Sequence, residues 1–181
     1  MKRLIDKRMI LWAVLAGVAL LGSTSARGQE RHKISFKSPA ANTKYTQQHA
    51  IDVGDLPDHQ IRVYELYRTF PANPPMFNGV KVVESWTRAM TDYINVNGRI
   101  SGYTVWVLEN GQKIFSELDG LSETTVNPDG SKRNLANIVL RFTGGTGNFV
   151  NIRGLLRQTS IFDSSAGLNE QQSEGEYWME K

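Results

Sequence analysis

From residue 60 onward the chain alternates apolar and polar positions with a period of two, the spacing that sends successive side chains to opposite faces of a strand. Ile61–Arg68 (I-R-V-Y-E-L-Y-R) sets Ile61, Val63, Glu65 and Tyr67 on one face. Three prolines between Pro71 and Pro75 then remove backbone donors and fix φ, so regular structure stops there. Val80–Met90 is long and β-prone, and Ser101–Leu108 (S-G-Y-T-V-W-V-L), rich in β-branched and aromatic residues, is the strongest strand signal. Lys113–Asp119, Leu135–Phe142 and Phe149–Leu156 follow, and Glu174–Glu180 closes the chain. Between them stand turn signals: Asn97-Gly98, Asn110-Gly111, Asn127-Pro128-Asp129-Gly130 and Gly144-Gly145-Thr146-Gly147. Asn110-Gly111 between two alternating runs predicts a hairpin. Strands at this spacing, with no sustained helical period, predict an all-β sandwich or barrel. A last strand ending on Trp178 and Met179 favours the barrel, which uses its final strand to remove an edge. Residues 158–172 are polar and read as irregular; residues 29–60 read as a loop-rich lead-in with one strand near Lys33–Lys37.

The N-terminus follows a different rule. Lys2, Arg3, Lys7 and Arg8 precede an apolar run from Met9 to Leu21, and small residues follow up to Gly28. That is the three-part plan of a secretory signal peptide, with cleavage after Ala26 or Gly28. The competing reading is an uncleaved anchor, but a membrane span needs about 20 apolar residues. The expected domains are therefore a signal peptide over 1–28, the lead-in over 29–60 and a β-barrel domain over 61–181, secreted or periplasmic, with no stable membrane anchor after cleavage. No cysteine follows the apolar run, which excludes a lipid-anchored lipoprotein.

Export changes the charge picture. The chain carries 21 Lys+Arg and 18 Asp+Glu; residues 1–28 hold five of the former and one of the latter, leaving 16 and 17. A near-neutral domain without a basic stripe lacks the footprint of a nucleic-acid binder. With no cysteine anywhere, thiol catalysis, Cys-bound zinc and disulfide stapling are excluded.

Candidate chemistry is thin. The glycines of Gly144–Gly147 precede a strand, whereas a phosphate loop needs Gly-Lys-Ser/Thr opening a helix. His49, Asp52, Asp55, Asp58 and His59 crowd together, yet their spacing matches no coordinating loop; they read as a solvated loop, and no metal site is assigned. All histidines lie in the first 59 residues and no Gly-x-Ser-x-Gly occurs, so no catalytic residue is named. On the Val80–Met90 strand, Val82, Glu84, Trp86 and Arg88 share a face. Turned inward they would orient a ligand's polar end; turned outward they are a solvated face or a subunit contact. The aromatic residues Tyr64, Tyr67, Trp86, Tyr103, Trp106, Phe115 and Trp178 suit a core or an interface better than a dedicated pocket.

The run Gly144-Gly145-Thr146-Gly147-Asn148-Phe149-Val150-Asn151-Ile152-Arg153-Gly154, with the closing Gly175-Glu176-Tyr177-Trp178, resembles dirigent proteins and the related allene oxide cyclase-like barrels over about Val80–Lys181. The resemblance implies a calycin-like, closed antiparallel barrel of about eight strands with an apolar cavity. It implies no metal or cofactor, and often a homotrimer. Plant members hold a reactive hydrophobic intermediate and steer its cyclisation or coupling, and Arg153 matches the arginine of their glycine block. The expected ligand-binding residues are Glu84, Trp86, Arg88, Tyr103, Trp106, Phe115 and Arg153. Three functions stay open: a barrel binding a small hydrophobic molecule, a cofactor-free isomerase or cyclase using Glu84 or Tyr103, and a structural barrel with a filled interior.

Overall fold

A computed structural model describes residues 29–126, 128, 132–163 and 166–181. The leader-like segment 1–28 and most of the Asn127–Gly130 turn lie outside them. The described chain is all-β: β1 (His32–Ser38), β2 (Thr43–Asp52), β3 (His59–Thr69), β4 (Met76–Phe77), β5 (Val80–Ile94), β6 (Asn97–Leu108), β7 (Lys113–Val126), β8 (Lys132–Gly145), β9 (Ile152–Asp163) and β10 (Leu168–Met179). Every ladder is antiparallel, and one sheet runs β1-β10-β9-β8-β7-β6-β5-β3-β2, with β4 pairing β5 beside it.

The expected closed barrel is corrected here: among the described residues no ladder joins β1 to β2, so the sheet is open at that seam. Parity is the reason. Nine strands alternating in direction put the two edge strands parallel to each other, and no antiparallel pair can close an odd count. The edges are successive pieces of one run of chain, linked only by residues 39–42. Pro39 opens that link and has no N–H, and the link's backbone closes on itself through Asn42 N–H to Pro39 C=O and Thr43 N–H to Ala40 C=O. Each half of the run then pairs with a different edge. So short a link forces the sheet to curl until its edges meet, and side chains seal the seam. Arg68 on β3 donates to Asn169 Oδ1 on β10 at 2.7 Å, Asn169 donates to Tyr45 on β2 at 3.0 Å, and Phe36 on β1 packs edge-on against Phe70 at 6.0 Å.

The lead-in thus supplies two strands of the sheet. The 158–172 segment is also mostly strand, because its inward positions are polar (Gln158, Ser160, Asn169 and Gln171 are all buried) and hide the alternation. The β6–β7 hairpin forms as expected, with Gly111 at φ +80° and Leu108 N–H bonded to Gln112 C=O. The β5–β6 turn does not use Asn97-Gly98. Asn95 and Val96 make it, at φ +52° and +68°, the mirror-image turn that suits strand twist.

Inside the curl the two ends differ. Near the base, Phe77, Val82, Ile114, Phe142, Ile152 and Leu156 are essentially inaccessible and pack as an apolar plug. The short β4 seals it, with Phe77 against Phe142 and Tyr177 at 5.5 and 4.9 Å between ring centres. Midway, Trp106 meets Phe36 and Phe70 and donates to Ser116. Toward the β5–β6 turn the interior becomes polar.

Candidate functional site

The polar end of the interior is a pocket lined from both sides of the seam. β3 contributes Arg62, Tyr64, Leu66 and Arg68, β2 contributes Tyr45, and β5 contributes Thr87 and Tyr93. Ile100, Leu118, Ala136, Ile138 and Phe162 give it apolar walls, and Gln158, Ser160, Asn169 and Gln171 close the far side. Its volume is about 30 Å³, and Arg62, Tyr93 and Phe162 also border, with Asp58, a recess of about 240 Å³ at the mouth, between the β5–β6 turn and the start of β3. Three hollows of about 600 Å³ are larger; they lie along β6–β10 and β1 and are lined chiefly by outward-facing polar and charged side chains, one of them sharing Ile138, Gln158 and Gln171 with the pocket.

Arg68 sets the electrostatics. It is 5% exposed, yet its Nε–H meets no acceptor, and its guanidinium donates to the neutral Asn169. Burial pushes its pKa down to about 10, which leaves it protonated at neutral pH. Arg62 stands over Tyr64 and Tyr45 with its guanidinium 5.0 and 5.9 Å from the ring centres, and its buried Nε–H is also unbonded. The lining holds two arginines and no carboxylate. Burial raises the hydroxyl pKa of Tyr64, and that of Tyr93 to about 12, so both stay protonated.

Of the seven residues expected from the sequence, only Trp106 faces inward, below this pocket. A bulge between Val82 and Glu84 lets Val82 and Ser85 both point inside, which turns Glu84, Trp86 and Arg88 out. The structure does bring those three together. Glu84 accepts from Tyr67 at 2.9 Å and from Trp86 at 3.1 Å, the Tyr67 and Trp86 rings lie 4.4 Å apart, and Arg88 pairs with Glu65 at 2.8 Å. Tyr103, at 67% exposure, and Phe115 share that outer face. Arg153 is outward too, bonded to the carbonyls of Thr143 and Ile152 and paired with Glu180.

The residues the sequence reading missed are Arg68, Arg62, Tyr45 and Asn169. One signal was present: Leu66 and Phe70 bracket Arg68 at two-residue spacing, which puts an arginine on an apolar face.

At the rim, His59 bridges two carboxylates. Nδ1 lies 2.5 Å from Asp55 and Nε2 lies 2.8 Å from Asp92, so the loop before β3 is tied to the end of β5. Hydrogen bonds donated by the His59 ring to Asp92 and Asp55 raise the His59 pKa, and the His59 bond lowers that of Asp55. For a raised histidine the added stability is complete below its unfolded value near 6.5 and is lost as pH rises through the folded one. For Asp55 it is present above its unfolded value and lost as pH falls through its depressed one. The tie therefore holds in mildly acidic solution. Amide exchange of residues 53–59, corrected for intrinsic rate, should be better protected at about pH 5.5 than at about pH 8.5; equal protection would reject the tie.

No family model and no curated protein matches the chain. Among solved structures it is similar to a protein named pyocyanin demethylase, with 14% identity and a TM-score of 0.39 over 80% of this chain and 99% of that one. A likeness at that level bears on neither family nor activity.

Proposed function

We propose that this chain is an exported binding domain that seats a small, apolar-bodied molecule at the polar end of its curled interior. The observation that carries the reading is the contrast between the two ends. The base is packed chiefly with apolar side chains, while three of the five unpartnered buried side-chain polar atoms among the described residues, Arg62 Nε, Arg68 Nε and Thr91 Oγ1, lie at the mouth end beside an open recess; Ser38 Oγ and Gln112 Oε1 lie elsewhere. A purely structural sheet gains nothing from such groups, each of which costs about 1–3 kcal/mol when buried unbonded. Tyr93, Val96 and Phe162 in the recess offer the ligand's body apolar contact. Pocket and recess together fall just below the range for ligand sites, roughly 300–1,000 Å³, so the ligand is small. The leader-like segment supports export, and the likeness to allene oxide cyclase-like barrels supports an interior site. Glu84 points away from the interior, so the isomerase reading lacks the base it invoked.

Amide chemical-shift titration of the purified chain with benzyl alcohol tests this. Saturable shifts should appear at Tyr64, Leu66, Thr87 and Phe162 and survive Trp86→Ala, which alters only the outer face. Shifts centred on Trp86 and Phe115, or none that saturate, would overturn the reading.

A further inference from the structure

The pocket also says what kind of ligand it takes. Resting on the reading above, we propose that the molecule carries an acidic group, a carboxylate or similar oxyanion, which enters head-first and accepts hydrogen bonds from Arg68. Four observations converge on this. Arg68 is nine-tenths buried, and its Nε–H lacks an acceptor. Its amide partner, Asn169, has no charge to offset a cation. No carboxylate lines the pocket, although a second guanidinium, Arg62, stands at its entrance with its own Nε–H unbonded. Tyr64 and Tyr93, their hydroxyl pKa values raised by burial, stay protonated and supply neutral hydroxyls rather than counter-charge.

Buried charges in proteins are ordinarily paired or neutralised. Arg68 faces a cavity whose lining holds no carboxylate, so its missing partner comes from outside; Arg62, nearer solvent, donates to the neutral Gln48 Oε1 at 3.2 Å and shares the recess with Asp58. Arginine's planar fork suits a carboxylate, since it presents parallel N–H donors that a lysine does not. The space beside Arg68, about 30 Å³, fits a head group and no more; the body lies above it, between Arg62, Tyr93 and Phe162 in the recess. Arg62, over the two tyrosine rings at the entrance, draws an anion inward toward Arg68.

The test compares benzoate with benzyl alcohol, two probes of similar size that differ in charge, by the same amide titration on the full chain, on Arg68→Met and on Arg68→Lys. Benzoate should bind about ten- to a hundredfold more tightly than the alcohol, the gain of one charge-assisted hydrogen-bonded contact. The preference should persist at about 0.5 M salt, where exposed charges are screened, vanish in Arg68→Met, and survive only in part in Arg68→Lys, which keeps the charge and loses the fork. Met removes an unpaired buried charge, so that variant should fold. Equal binding of the two probes would overturn the acid-group inference and leave the pocket reading standing. A benzoate preference unchanged in Arg68→Met would overturn the role of Arg68. No shift at the lining residues with either probe would end both readings.

Discussion

Replacing Trp106 by alanine is expected to cost about 3–5 kcal/mol, the range for deleting a large buried aromatic. Trp106 is 2% exposed and occupies the middle of the interior, between the apolar plug and the polar pocket. It packs against Phe36 from β1 and Phe70 beyond β3, at 5.7 and 6.2 Å between ring centres. Those partners come from the two sides of the open seam, so the indole joins edges that no backbone ladder joins. Its ring N–H also donates to Ser116 Oγ at 3.3 Å. Deleting it leaves a void that a curled sheet, held by continuous ladders on its other sides, can collapse only in part. Since domains of this size have about 5–15 kcal/mol in total, the loss takes a large share. Urea denaturation read by far-ultraviolet circular dichroism measures it. A cost below about 1.5 kcal/mol would show that the seam does not depend on this side chain.

The second large effect is expected at Gly154. Its φ is +134°, a conformation L-residues rarely adopt, and a Cβ there would stand 2.2 Å from Glu176 O and 2.6 Å from Tyr177 Cα. Both atoms belong to the backbone of β10, which pairs with β9 along its whole length, so neither moves alone. Gly154→Ala thus adds conformational strain of about 1–3 kcal/mol to a clash that is relieved only by parting the two strands. The combined cost should exceed about 3 kcal/mol, with the β9–β10 amides losing exchange protection first. Stability within about 0.5 kcal/mol of the parent would mean that the strand shifts without resistance. The β9–β10 register runs through Gly154 without a bulge.

Much of the fold was legible. Ile61–Arg68, Val80–Met90, Ser101–Leu108, Lys113–Asp119 and Leu135–Phe142 each lie inside an observed strand, because alternation with one buried face reports strand and face together. The site was far less legible. Val80–Met90 looked like one uninterrupted face of Val82, Glu84, Trp86 and Arg88, and a single bulge after Val82 exchanged inside for outside. No period of two reveals a bulge, since it adds a residue without leaving a mark in composition. Polar inward residues caused the other failures. Gln158, Ser160, Asn169 and Gln171 looked like loop because the alternation signal is carried by hydrophobicity, and here the interior is polar.

By itself the sequence determined that the region after residue 60 is all-β, roughly where its strands run, and that one strand carries an arginine between Leu66 and Phe70. These are local facts, set by the alternation of side chains along a pleated backbone. The tertiary structure decided that the first two strands belong to the same sheet, that the curl ends in a seam rather than a ladder, and that Arg68 lies in a cavity without a counter-charge. Those depend on which distant strands meet. Pairing partners, an odd strand count and a bulge each arise from contacts across the chain, and such contacts leave no imprint on the residues nearby.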